Sequence, residues 1–244
     1  MADRVALGVM ARASSDEGGK TRLIRALGID DGADLRRAIL LDTLEAVRSI
    51  RFVDRILLFT PDDAHTEMAG LGADVAHLIP QRGETLSQRI ERGFADLFAL
   101  GYDAAALIGS DLPTLPASHV DGGIEVLMRL PDPVVLGPAH DGGYYFIGLR
   151  RPHPELFRGV PWSTADVLAA TLAIATREGL STRLIPSWYD VDTVPDLERA
   201  LGAVEASLPS SGGARHLQAW ATRRRPSSPA EACVSWRGHP KGEA

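Results

Sequence analysis

The sequence predicts an α/β domain whose mainly parallel sheet is flanked by helices, and three observations carry that expectation. Short apolar runs recur along the chain, each is followed by a turn cluster, and each cluster leads into a segment with helical spacing. Such alternation marks βαβ units, which set parallel strands side by side and lay helices on both faces of the sheet. The 244 residues, 45% apolar and 24% charged, suffice for one large domain with a sizeable core.

The first run, RVALGVMA at residues 4–11, reads as a strand. Residues 33–49, ADLRRAILLDTLEAVRS, place Leu35, Ile39, Leu40, Leu44 and Val47 at helical spacing while Arg36, Arg37, Asp42 and Glu45 fall elsewhere, which makes an amphipathic crossover helix. RILLFT (55–60) is the second strand, and TLSQRIERGFADLFAL (85–100) the helix that follows it. AAALIG (104–109) and PVVLGPA (133–139) are further strands. TADVLAATLAIATRE (164–178) is helical, with Thr164 or Ser163 as its N-cap. RLIPSWYDVDT (183–193) reads as a late strand and loop, and VPDLERALGAVEASL as a closing helix. From about residue 207 Pro, Ser, Gly and Arg dominate and the apolar period vanishes, so the expected organisation is a domain over 1–206 and a disordered tail over 207–244.

A formal net charge of -6 argues against a mostly electrostatic nucleic-acid binder, though local basic residues can still hold a small anion. The single cysteine, Cys233, lies in the tail, so neither a disulfide framework nor a cysteine-based zinc site is available. The N-terminal apolar run is too short for a signal segment, and no stretch approaches the ~18 apolar residues of a membrane span. These features predict a soluble cytoplasmic protein.

Ligands of an open parallel sheet bind beyond the carboxyl ends of its strands, so the residues just after each strand are the ones to inspect. After the first strand comes ARASSDEGGKTRL (11–23), with a glycine pair and the cations Arg12, Lys20 and Arg22. Glycine lets backbone N–H groups approach phosphate, Lys supplies a mobile charge and Arg a planar fork. The loop lacks the complete dinucleotide and Walker patterns, and its cations could equally cover a surface turn. Asp111 ends the apolar run of IGSDLPTL; a carboxylate at a buried strand end calls for a partner such as a divalent cation, or else caps the following turn. Asp141 precedes Gly142 and Gly143, a turn suited either to close approach of a ligand or to an ordinary hairpin. Asp190 and Asp192 fall on one side of an extended chain, where either could ligate a metal, and Asp192 with Thr193 could instead cap the closing helix.

Taken in order, KTRL (20–23), IGSDLPTL (108–115), LGPAHDGGYYFIGL (136–149), WST (162–164) and DVDTVPDL (190–197) resemble the DUF2064 transferases of the nucleotide-diphospho-sugar transferase superfamily. The likeness runs from residue 5 to about 200 and implies a single-domain, GT-A-like (Rossmann-like) mixed sheet. The family is similar in turn to 2-phospholactate guanylyltransferases and molybdenum-cofactor nucleotidyltransferases. By that similarity Asp111 would hold Mg2+ or Mn2+, with Asp192 as second ligand and Asp190 in reserve. Lys20 and Arg22 would grip phosphates, within a nucleotide-binding set of Ala11, Arg12, Lys20, Arg22, Arg89 and Ser110. Asp141, Gly142, Gly143, Trp162 and Ser163 are the candidates for the acceptor pocket. One departure is the acidic pair Asp16 and Glu17 in the first loop, where the family usually has a proline and a glycine.

Two chemistries share this scaffold. A nucleotidyltransferase directs an acceptor phosphate at the α-phosphorus of an NTP and releases pyrophosphate; a glycosyltransferase directs a hydroxyl at the anomeric carbon of an NDP-sugar. The GSD segment holds one carboxylate where glycosyltransferases usually carry a D-x-D, and the cations suit a triphosphate, so nucleotidyl transfer to a small phosphorylated acceptor is the expected activity. Glycosyl transfer and a non-catalytic nucleotide-binding module are the alternatives.

Overall fold

The computed structural model describes residues 3–14, 23, 27–71, 74–206 and 213–224. Strands β1 (Val5–Arg12), β2 (Asp54–Thr60), β3 (His77–Pro80), β4 (Ala104–Gly109), β5 (Pro133–Pro138), β6 (Tyr144–Leu149) and β7 (Ser181–Leu184) form one sheet in the order β3-β2-β1-β4-β6-β5-β7. All neighbours run parallel except around β6, which is antiparallel to both β4 and β5. The short turn between β5 and β6 permits only that direction, because a parallel return needs a crossover of a dozen or more residues.

The predicted mixed, mainly parallel sheet is therefore present, with three strands beyond the four apolar runs: β6, the return strand of the hairpin after Gly142 and Gly143, and the two edge strands β3 and β7. β3 is short and half-exposed at the sheet's edge, so it lacks the run that marks a buried strand. β7 begins at Ser181, before the stretch read as strand, and is also largely exposed.

The α-helices are α1 (Ile29–Arg48), α2 (His65–Leu71), α3 (Leu86–Ala99), α4 (Ala117–Arg129), α5 (Val167–Arg177), α6 (Val194–Ala206) and α7 (Arg215–Arg224), and short 3-10 turns stand at Asp62–Ala64 and Pro154–Phe157. Alternate residues of the central strands feed two cores. Leu7, Val9, Leu57, Phe59 and Ile108 pack with Leu40 and Val47 of α1 and with Val120 and Leu127 of α4. Ile56, Leu58, Leu107 and Ile147 pack with Ile90, Phe94 and Leu97 of α3 and Val167 and Ile174 of α5. Both sheet faces are thus dry, as the continuous apolar strands require. Among the described residues no helix is long and apolar enough to cross a membrane.

Three local expectations change. Asp42, expected on the polar side of α1, is buried at 2% exposure. Residues 215–224, expected within the tail, form α7, and its Leu217 and Trp220 are buried against Leu35 and Ile39 of α1 and Val204 of α6. Two large apolar side chains in a polar stretch make too weak a period to announce a helix; the surface that α1 leaves uncovered supplies the partner. Finally, α5 begins at Val167 rather than at 164, with Asp166 at its cap position. The Thr164 hydroxyl accepts the Asp166 N–H at 3.2 Å and donates to the Pro161 carbonyl at 2.8 Å, holding a turn ahead of the helix, and Ser163 sits at a φ of 65°.

Candidate active site

The carboxyl ends of the parallel strands open into a cavity of about 690 Å³. Met10, Leu107 and Ile147 from β1, β4 and β6 form its apolar floor, and Leu86 and Ile90 of α3 one side. Ser110 and Asp111 stand at the end of β4; Ala139, Asp141 and Gly143 come from the β5–β6 turn; Trp162, Ser163, Thr164 and Ala165 precede α5; Asp190 and Asp192 follow β7. The predicted Ser110, Asp111, Asp141, Gly143, Trp162, Ser163 and Asp192, with the reserve Asp190, therefore share one cavity.

Backbone pairing explains how distant segments converge. Trp188 donates its N–H to the Pro138 carbonyl at 3.0 Å, and His140 donates to the Trp188 carbonyl at 3.0 Å, laying 188–192 beside the β5–β6 turn. Within that extended segment Tyr189 and Val191 are buried in the core shared by α1 and α6, so the alternation of an extended chain turns Asp190 and Asp192 the other way, to the cavity. Val191 donates its N–H to the Asp111 carbonyl at 2.9 Å, stitching this segment to the end of β4.

The competing role for Asp192 as a helix cap goes to other residues. Thr193 donates its N–H to the Asp196 carboxylate at 2.9 Å and its hydroxyl to the same oxygen at 2.6 Å, while the Asp196 N–H returns to the Thr193 hydroxyl at 3.4 Å. This reciprocal cap starts α6.

The glycine pair divides its work. Gly142 adopts a φ of 91°, and a Cβ built there would lie 2.1 Å from the Ala165 carbonyl oxygen. Its own carbonyl accepts the Leu168 N–H at 2.9 Å. Gly142 is thus spent on packing the hairpin turn against the 165–168 segment, and does not itself line the cavity. Gly143 does, with its N–H donated to the Asp141 carboxylate at 2.9 Å.

Other predicted residues lie apart. Ala11 is buried, and its carbonyl accepts a bond from the Gln81 amide at 3.0 Å. Arg12 ends β1 outside the cavity lining. Arg89 donates through Nε to the Gly83 carbonyl at 2.9 Å and braces the loop ahead of α3, also outside the lining. Lys20 and Arg22 lie outside the described residues.

The lining also contains residues not singled out beforehand. Tyr144 and Tyr145 open β6; burial pushes both phenols above their ordinary range, Tyr144 despite the opposing effect of the Thr171 hydroxyl, so both stay protonated and neutral. The Tyr145 hydroxyl donates to the Pro186 carbonyl at 2.8 Å. Tyr144 meets Trp162 edge to face, with centroids 6.2 Å apart. Leu86, 47% exposed on the first turn of α3, was legible as an apolar residue out of place beside the Thr85 cap.

Chemically, the cavity joins an apolar floor and aromatic wall to four carboxylates, Asp111, Asp141, Asp190 and Asp192. Carboxylate oxygens are the donors that hard divalent cations prefer. Among the described residues no three His, Cys, Asp or Glu side chains cluster tightly enough to enclose a metal alone. A site with one or two protein carboxylates, completed by substrate phosphates and water, matches the ordinary coordination of Mg2+.

Residues 43–164 match the model of a family described as an uncharacterized protein conserved in bacteria (DUF2064). The chain is 30% identical over 200 residues to a phosphoenolpyruvate guanylyltransferase of Sphaerobacter thermophilus, covering 79% of this chain and 92% of that one. It is 28% identical over 214 residues to a protein of the same name from Conexibacter woesei, with 83% and 89% covered. The crystal structure of a Desulfovibrio desulfuricans G20 protein, described as a nucleotide-diphospho-sugar transferase, superposes with a TM-score of 0.78 at 29% identity, over 91% of this chain and 98% of that one. With half of its length matched by the family model and the expected sheet and cavity in place, the chain belongs to the DUF2064 family and is a transferase with the nucleotide-diphospho-sugar transferase fold.

Proposed function

We propose that the protein is a nucleotidyltransferase that passes a guanylyl group from GTP to the phosphate of a small phosphorylated acid, releasing pyrophosphate. The names of the two guanylyltransferase relatives support both the reaction and the class of acceptor. The observation that carries the reading is the cavity itself, which gathers Ser110–Asp111, the 141–143 turn, the 162–165 segment and Asp190–Asp192 at one strand edge, with room for a nucleotide and a small second substrate.

An acceptor phosphate oxygen attacks the α-phosphorus; the new P–O bond forms as the bond from α-phosphorus to the bridging oxygen breaks, and that oxygen leaves with its electron pair on pyrophosphate. Little covalent work falls to the protein, so positioning and charge neutralisation dominate. Four carboxylates around an anionic nucleotide require compensating cations. Asp111, with Asp192 or Asp190, would hold a divalent ion, Mg2+ or Mn2+, which when bound neutralises phosphate charge and supports the departing pyrophosphate. Lys20 and Arg22 of the first loop would supply the remaining positive charge. The Trp162 indole N–H, buried without a hydrogen-bond partner among the described residues, is the proposed donor to the acceptor, with Ser163 and Gly143 beside it.

The test is to incubate the protein with each NTP, Mg2+ or Mn2+ and a panel of small phosphorylated acids that includes phosphoenolpyruvate, and to follow pyrophosphate release. Release with GTP and one of these acids is the expected result. Turnover of an NDP-sugar with no pyrophosphate from any NTP would overturn the assignment in favour of glycosyl transfer.

A further inference from the structure

We propose that Thr43, a residue of α1 with no place among the cavity-lining side chains, is a positioning residue that sets the backbone of Asp111. The inference rests on the reading of Asp111 as a ligand of the nucleotide-bound cation.

Thr43 is fully buried. A threonine inside a helix ordinarily turns its hydroxyl back to the carbonyl four residues earlier, and Thr43 lies 3.0 Å from the Ile39 oxygen in that manner. It also reaches out of the helix. Its hydroxyl lies 2.9 Å from the Ser110 carbonyl, so its single proton is shared between that oxygen and the Ile39 carbonyl, and it accepts the Leu112 N–H at 3.1 Å. Ser110 and Leu112 flank Asp111, so one oxygen atom binds the peptide groups on both of its sides.

The second of those peptide groups is held from the other direction as well, since the Asp111 carbonyl accepts the Val191 N–H at 2.9 Å. With both peptide planes fixed, the two backbone dihedrals of Asp111 have little freedom, and its Cα–Cβ direction is set toward the cavity before any ligand arrives. The same bonds show how β4 ends: the polar groups after Gly109 go to a helix side chain and to the 188–192 segment. Valine has nearly the same shape but no hydroxyl, so at this position it would leave the Ser110 carbonyl and the Leu112 N–H without this partner. The threonine oxygen thus serves the strand end at which Asp111 stands.

The experiment compares full-length wild type with Thr43→Val, Thr43→Ser and Asp111→Asn, measuring Mn2+ affinity in the presence of GTP by electron paramagnetic resonance of the free ion, with pyrophosphate release and melting temperature alongside. Loss of a group that orients a metal ligand costs roughly 10–100-fold in affinity or rate. Thr43→Val should therefore bind Mn2+ at least about ten-fold more weakly while still folded at the assay temperature, and Thr43→Ser should stay within about three-fold of wild type. Should Thr43→Val not fold, Thr43→Cys, which keeps the size of serine but hydrogen-bonds poorly, carries the same expectation. Wild-type Mn2+ affinity in the folded Val or Cys variant, or equal losses in the Ser and Val variants, overturns the proposal and leaves the role of Asp111 intact. Wild-type Mn2+ affinity in Asp111→Asn overturns the role of Asp111, and this proposal with it.

Discussion

Leu217 donates its backbone N–H to the buried carboxylate of Asp42 at 2.7 Å, across 175 positions of the chain. His216 donates to the other carboxylate oxygen at 2.9 Å. These N–H groups belong to the first turn of α7, so α1 supplies the cap that α7 cannot make from its own sequence. Arg215 reaches Glu45 at 3.2 Å and Arg224 pairs with Asp31, which ties both ends of α7 along α1. Asp42 and its neighbour Thr43 thus leave α1 in different directions, one to the C-terminal helix and the other to the end of β4.

Asp42→Ala would leave two N–H groups of the first turn of α7 without their charged acceptor. The expected loss of unfolding free energy is about 2–4 kcal/mol, with α7 amides exchanging hydrogen faster than those of β1 and β4. Denaturant titration with hydrogen exchange checks both parts, and protection of α7 unchanged from wild type would refute the capping role.

Stability should also depend on pH through this carboxyl. Burial raises its pKa from 3.8, and the two backbone N–H groups only partly oppose that rise. A raised pKa means that the folded state binds the proton more tightly than the unfolded state, so this group's contribution is greatest below the unfolded value and is lost as pH climbs through the folded one. The difference in unfolding free energy between wild type and Asp42→Asn should accordingly shift against wild type as pH rises above about 4. A difference that moves the other way, or stays flat, would contradict the direction of the shift.

Ending the chain after Ala206 removes Leu217 and Trp220 and uncovers their contacts on α1. Burial of two large apolar side chains contributes about 3–5 kcal/mol, so the melting temperature should fall on the order of 10 °C. A chain ending after Arg224 retains these contacts and should melt near wild type in the same thermal scan.

Gly142→Ala must place a methyl group 2.1 Å from the Ala165 carbonyl oxygen at a φ of 91°. Strain and overpacking together should cost roughly 2–4 kcal/mol, and displacement of the 163–165 wall should raise KM for the acceptor more than KM for the nucleotide. At Gly143 the nearest atom is the Asp141 carboxylate oxygen at 3.2 Å, on a side chain that can move, so Gly143→Ala should be the milder change. Equal KM effects on both substrates in Gly142→Ala would argue against a wall specific to the acceptor.

Lys20→Ala and Arg22→Ala test the first loop. If these cations face the outer phosphates of an NTP, each charge-assisted contact is worth on the order of 1.5–3 kcal/mol, which means about ten-fold or more in NTP affinity with little change for the matching monophosphate. Calorimetric titration of both nucleotides gives the comparison; equal losses for NTP and monophosphate would place these cations elsewhere.

The sequence by itself determined the architecture and pointed to the strand edge at which the candidate cavity opens. Apolar runs such as AAALIG and helical spacing such as that of 33–49 report burial directly, because a strand or helix packed on a core must be apolar at its own period. The motif order added the family; Asp111 could be singled out because a carboxylate just beyond an apolar run is conspicuous, Asp141 because a glycine pair follows it, and Asp190 and Asp192 because alternate positions of an extended chain share a side. What only the tertiary structure decided are relationships between residues that look ordinary in their local setting. Asp42 reads as the polar side of an amphipathic helix and Thr43 as a neutral helix residue until α7 and the end of β4 come against them. Trp220 reads as part of a low-complexity tail until α1 offers it a partner. Gly142 could serve a ligand or a hairpin, and only the approach of Ala165 shows which contact occupies it. The physical reason is range: periodicity and turn chemistry act over a few residues, whereas hydrogen bonds and packing across 67 or 175 positions arise only once the chain has closed on itself.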